Sequence, residues 1–104
     1  MANGKEQEIQ TAALEILRNH PKVAFAYVNT SGKVKAKGYW MTLGVTGLPD
    51  ITFMTKDGRY GCVEVKQPGV HPTDEQYSFI KKVRKNGGIA GWINNAGQIF
   101  DILS

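Results

Sequence analysis

Two short runs, Ile51–Thr55 and Tyr60–Lys66, flank Lys56-Asp57-Gly58, and this pairing constrains the fold more than any other feature of the chain. Runs of this length, rich in β-branched and aromatic residues and split by a glycine-bearing turn, read as a β-hairpin. Side chains on a strand alternate faces. Glu64 and Lys66 therefore share one face, while Val63 and Val65 point to the other, where Ile51 and Phe53 can meet them. Loop length decides what stands across from Glu64. A two-residue Asp57-Gly58 loop sets Asp50 opposite Val65, on the wrong face, whereas a three-residue Lys56-Asp57-Gly58 loop with Gly58 in the left-handed conformation sets Asp50 opposite Glu64. Both turns are open to this sequence, and only the second brings Asp50, Glu64 and Lys66 together.

The flanking segments suggest how the hairpin is covered. Residues 5–19 read as a helix, with Ile9, Ala12, Ala13, Ile16 and Leu17 in one stripe and Pro21 as the stop. A strand is expected at Val23–Val28. Asn29–Gly47 is polar, punctuated by glycine and rich in lysine, and reads as a long mobile connection. Thr73–Asn86 reads as a second helix closed by Gly87-Gly88, followed by strands at Ile89–Asn94 and Gln98–Leu103 around an Asn95-Ala96-Gly97 turn. The expected order is αββ(β)αββ, an α/β fold with a mixed central sheet flanked by helices. A length of 104 residues gives one domain, 1–104.

Thirteen Lys and Arg against nine Asp and Glu leave a net charge of +4, which favours a polyanionic partner such as nucleic acid. Cys62 is the only cysteine, so neither an internal disulfide nor a cysteine-based zinc cluster can form within one chain, and a reduced, cytoplasmic setting is expected. No apolar run approaches the ~20 residues of a membrane span, so no membrane role is expected.

Two carboxylates and a lysine at adjacent strand ends form a place for a divalent cation and a water against a phosphodiester, and all-oxygen donors suit Mg²⁺ or Mn²⁺. Glu-x-Lys alone is a weak signal. The plain alternative is a cross-strand ion pair worth about 0.2–1 kcal/mol. His20 and His71 do not suggest a zinc site, and Cys62 reads as packing because no base is evident near it.

Gly47-Leu48-Pro49-Asp50-Ile51, then Val63-Glu64-Val65-Lys66, then Thr73-x-x-Gln76 opening a helix that ends in Gly87-Gly88, closely resembles the VRR-NUC (virus-type replication-repair nuclease) module of the PD-(D/E)xK superfamily. The resemblance covers nearly the whole chain and implies a restriction-endonuclease-like core. It also implies a metal-dependent nuclease. By this resemblance Asp50 and Glu64 are metal ligands, with the Val65 carbonyl completing the shell, and Lys66 orients or helps deprotonate the attacking water. Gln76 lies beside the site in the family, although Thr73-Asp74-Glu75-Gln76 also fits a helix capping box. One glutamate of the first helix is typical of the family. Helical spacing selects Glu6, on the Ile9/Ala13/Leu17 stripe, over Glu8 and Glu15, which project from its flank.

Lys33, Lys35 and Lys37 alternate with Val34 and Ala36 and line one edge of an extended segment, with Tyr39 and Trp40 following. These residues and Gly47 are candidates for contact with the nucleic-acid backbone. Stand-alone relatives resemble homodimers acting on branched DNA such as four-way junctions. The competing expectations are a flap or single-strand nuclease, a nuclease subunit that needs a repair or helicase partner, and a basic binding module without catalysis.

Overall fold

Apolar residues at every third or fourth position from Ile9 to Leu17 make the first helix bury Ile9, Ala13 and Leu17 against a sheet. The computed structural model describes residues 4–29, 32–36, 38–43 and 48–104. Its elements are α1 (Gly4–Asn19), β1 (Val23–Val28), β2 (Gly32–Ala36), β3 (Tyr39–Leu43), β4 (Ile51–Thr55), β5 (Tyr60–Val65), α2 (Asp74–Lys85), β6 (Ile89–Ile93), a 3₁₀ turn (Ala96–Gln98) and α3 (Ile99–Leu103). β1, β4, β5 and β6 form a mixed sheet in that order. The β1–β4 and β4–β5 pairs are antiparallel, whereas β5 and β6, joined through α2, are parallel.

Alternation along the central strands divides the core between two faces. Ile51 and Phe53 of β4, Val63 and Val65 of β5 and Ile93 of β6 pack with Ile9, Ala13 and Leu17 of α1 and with Ile99 and Leu103 of α3. On the opposite face Cys62 of β5 and Ala90 of β6 pack under Ile80 of α2, with Phe79, Val83 and Trp92 beside them. The result is three layers, helix–sheet–helix. Register slips at Ala24 of β1, a bulge that places Val23 and Ala26 in the core and leaves the stacked rings of Phe25 and Tyr27 on the outer face, 6.2 Å apart.

Gly61 lies directly across from Phe53, whose ring covers it. A Cβ built on Gly61 falls 2.2 Å from the Phe53 ring, which is fully buried and has nowhere to move. Gly61→Ala is therefore expected to cost about 2–3 kcal/mol, seen in thermal denaturation as a Tm about 10–20 °C lower. An unchanged Tm would show that Phe53 does not lie across this glycine.

Two expectations from the sequence are corrected. The Asn29–Gly47 segment is not a plain connection, because β2 and β3 pair as a separate antiparallel ribbon, Gly32↔Leu43 to Ala36↔Tyr39, turning at Gly38 with φ +84°. The Lys33–Ala36 alternation is a strand signal set among glycines and lysines that read as a connection. Gln98–Leu103 is not a strand either. Ile99, Ile102 and Leu103 follow helical spacing, with Ile99 and Leu103 buried. The Gln98 side-chain oxygen accepts from the backbone N–H of Asn94 at 2.7 Å, closing the turn that precedes α3.

Candidate active site

The turn between β4 and β5 decides whether a site forms. Gly58 takes φ +88°, the Gly58 N–H donates to Thr55 O and the Thr55 N–H donates to Arg59 O, both at 3.0 Å, so the loop is the three-residue Lys56-Asp57-Gly58 form. Pairing runs from Met54↔Tyr60 to Ile51↔Val63. One more step of that register places Asp50 across from Glu64.

Asp50 is then held by two hydrogen bonds. Its Oδ2 accepts the Val65 N–H at 2.7 Å, and its carbonyl accepts the Asn29 N–H at 2.7 Å. Asn29 also donates through Nδ2 to Pro49 O at 2.8 Å and Thr52 Oγ1 at 2.7 Å, while Pro49 is fully buried. Asn29 thus ties the Pro49-Asp50 step to the end of β1. Sequence reasoning missed it: a lone asparagine after a strand carries no such signal until the β1–β4 register is known.

Glu64 is only 4% exposed, on the face covered by α2. Its Oε1 accepts from Gln76 Nε2 at 3.0 Å and lies 3.9 Å from Lys66 Nζ. Its Oε2 is buried with no hydrogen-bond partner. Burial, first, and then the negative charge of Asp50 push the Glu64 carboxyl up to about 8; a proton shared with Asp50 adds to this, Lys66 opposes it, and the charge of Glu6 reinforces it. With both carboxyls ionised neither can donate to the other. Oε2 is the oxygen open to a proton or a cation.

Gln76 bonds at both ends of its amide. Its Oε1 accepts the Thr73 N–H at 2.8 Å, and Thr73 Oγ1 accepts the Gln76 N–H at 3.2 Å, completing the capping box at the start of α2. The other end of the same amide reaches Glu64. Glu6 is half-buried on the α1 stripe, and its influence on Glu64 places α1 at the edge of the site, whereas Glu8 and Glu15 are exposed.

The parallel register sets Trp92 beside Glu64, and the His71 ring packs edge-on against Trp92 at 5.4 Å. His20 accepts the Lys22 N–H through Nδ1 and packs against Phe100. Cys62 is a buried packing residue, its thiol pushed up to about 12 chiefly by burial. Lys33 and Lys35 lie on β2 and Tyr39 on β3, while Lys37 and Gly47 fall outside the described residues.

The donors fit a hard divalent cation. Two carboxylates stand together, one with an unpartnered buried oxygen, and among the described residues no group of three or more His, Cys, Asp or Glu could hold a metal ion. Mg²⁺ characteristically uses one or two carboxylates and keeps several waters, so an incomplete protein shell suits it. Soft-metal sites need thiolates or imidazoles, which are not among these donors.

No protein-family model matches the chain, and none of the curated proteins matches it. Among solved structures, one described as "VRR_NUC domain" superposes with a TM-score of 0.64 at 22% sequence identity, over 95% of this chain and 94% of that one. The fold that carries Asp50, Glu64, Lys66 and Gln76 to one place is the fold of that VRR_NUC domain.

Proposed function

We propose that this chain is a metal-dependent nuclease that hydrolyses DNA phosphodiester bonds with Mg²⁺ or Mn²⁺. The carrying observation is the buried Glu64 carboxylate, whose Oε2 has no partner and whose neighbours are Asp50 and the Lys66 ammonium. The fold shared with a VRR_NUC domain supports the same reading. Asp50 and Glu64 would hold the cation, with the Val65 carbonyl beside them. When bound, the metal lowers the pKa of its water and neutralises charge on the phosphate. Lys66 orients the attacking water and balances the charge that builds on the phosphate oxygens. Gln76 fixes the rotamer of Glu64, and Glu6 closes the α1 edge. The water oxygen bonds to phosphorus, the bond to the 3′ oxygen breaks, and the products are a 5′-phosphate and a 3′-hydroxyl.

For substrate and assembly, the reading is branched DNA cut by a homodimer. A chain of 104 residues offers little surface for reading bases, so two copies recognising shape is the economical arrangement. Lys33, Lys35, Lys37, Tyr39 and Gly47 are assigned to the DNA backbone, with lysine contacts that would add affinity without sequence preference. The test is cleavage of a labelled four-way junction beside linear duplex and single strand, with Mg²⁺, Mn²⁺ or chelator, and with sedimentation on the same sample. Metal-dependent cutting of the junction by a dimer is expected. Tight binding without cutting in either metal would overturn the catalytic reading, and equal cutting of all three substrates would overturn the preference for branches.

A further inference from the structure

At the end of the sheet away from Glu64, a cavity of about 480 Å³ opens where β5 and β6 begin. Lys22, Arg59 and Arg84 line it, and among the described residues Asp101 is the one acidic side chain there. Each cation is anchored by one bond to a backbone carbonyl: Lys22 Nζ to Leu103 O at 3.0 Å, Arg59 Nε to Gly87 O at 3.2 Å and Arg84 Nε to Ala90 O at 2.7 Å. None of these three cations forms an ion pair with a carboxylate of the described residues. Three cationic side chains against one acidic side chain therefore line a concave surface, with both guanidinium groups held through Nε.

We propose that this cavity is a phosphate-binding site. Guanidinium forks match phosphate geometry, and anchoring through Nε leaves their terminal nitrogens to donate. Among the described residues no aromatic side chain lines the cavity, so it recognises the phosphate itself. Arg59 precedes Glu64 by five residues along β5, which at ~3.3 Å per residue sets that cation roughly 16 Å from the carboxylate cluster. The two sites hold different phosphates. The occupant is either a backbone phosphate of nucleic acid remote from the scissile one, which rests on the nuclease reading, or a free phosphate or pyrophosphate, which does not.

The experiment compares wild type with Lys22→Gln/Arg59→Gln. Arg84 is left in place because it holds the Ala90 carbonyl of β6. In chelator, where no cleavage occurs, thermal shift is measured with inorganic phosphate and pyrophosphate, and anisotropy with labelled DNA. Both substituted side chains are exposed and each gives up one carbonyl bond, so the variant is expected to keep its fold with a Tm lower by a few degrees in phosphate-free buffer. Pyrophosphate should raise the wild-type Tm and have little effect on the variant, while a charge-matched Lys81→Gln/Lys85→Gln control keeps the shift. If the occupant is nucleic acid, DNA affinity falls by about tenfold per cation lost at ~0.1 M salt, and the salt slope by about one per cation. A lost pyrophosphate shift with DNA affinity unchanged assigns the cavity to a free phosphate. Variant and wild type indistinguishable in both assays would overturn the site, whatever the outcome of the cleavage test.

Discussion

Lys66→Ala is expected to lower the single-turnover rate of metal-dependent cleavage by about 10²–10⁴-fold while leaving the fold in place. The side chain is 14% exposed and is the only cation in ion-pair range of Glu64 among the described residues. Removing it takes away the donor assigned to the attacking water and the charge that offsets the phosphate. A buried carboxylate stripped of its partner ordinarily destabilises a protein severely. Here the cost is limited, because the Glu64 carboxyl already sits at about 8 and takes up a proton readily. The backbone contribution also survives, since the Lys66 N–H bond to Ile93 O does not need the side chain. Rates measured with enzyme in saturating excess over DNA separate this loss from weaker binding. A variant that melts like wild type and still cuts at the wild-type rate would remove Lys66 from the chemistry.

The parts of the fold legible in the sequence are those in which one local rule had no competitor. The Ile9/Ala13/Leu17 stripe fixes α1, and the Thr73–Gln76 box fixes the start of α2. The Lys56-Asp57-Gly58 turn was legible only as a choice. Its resolution in favour of three residues depends on Gly58 adopting φ +88°, which aspartate-glycine permits without requiring. Two segments were misread for different reasons. β2 and β3 pair with each other outside the main sheet, in a segment whose glycines and lysines read as a connection. α3 is five residues long, too short for a helical period to outweigh the β propensity of Ile99, Phe100 and Ile102. At the site, Asp50, Glu64 and Lys66 could be read as a pattern, but the burial of Glu64 could not. It arises because α2 crosses the face opposite α1 and lays Gln76 over the end of β5. Asn29 depended wholly on long-range register.

Glu64→Gln is expected to stabilise the metal-free protein at pH 8 while abolishing cleavage. The Glu64 carboxyl is raised from its ordinary 4.5 to about 8, chiefly by burial and then by Asp50. In the unfolded chain this group loses its proton near pH 4.5, whereas in the folded state it keeps the proton until near pH 8. The native state therefore binds more protons across that window, and wild-type stability falls as pH rises from about 4.5 to about 8. Below it both states are protonated, and the group contributes no pH dependence. Glutamine has the same shape and no charge: its carbonyl can accept from Gln76, and its amide can donate to Asp50, so the position now held by the unpartnered Oε2 gains a bond. Each tenfold change in proton affinity corresponds to about 1.4 kcal/mol, so a gain of about 2–4 kcal/mol is expected at pH 8 and almost none at pH 4.5. At pH 8 that is a Tm higher by about 10 °C or more. A divalent cation can take the place of that proton, so Mn²⁺ should raise the Tm of wild type more at pH 8 than at pH 6 and leave the variant nearly unmoved. Parallel melting curves for the two proteins at every pH, with and without Mn²⁺, would mean that Glu64 carries no burdened charge and that the carboxylate cluster is not a cation site.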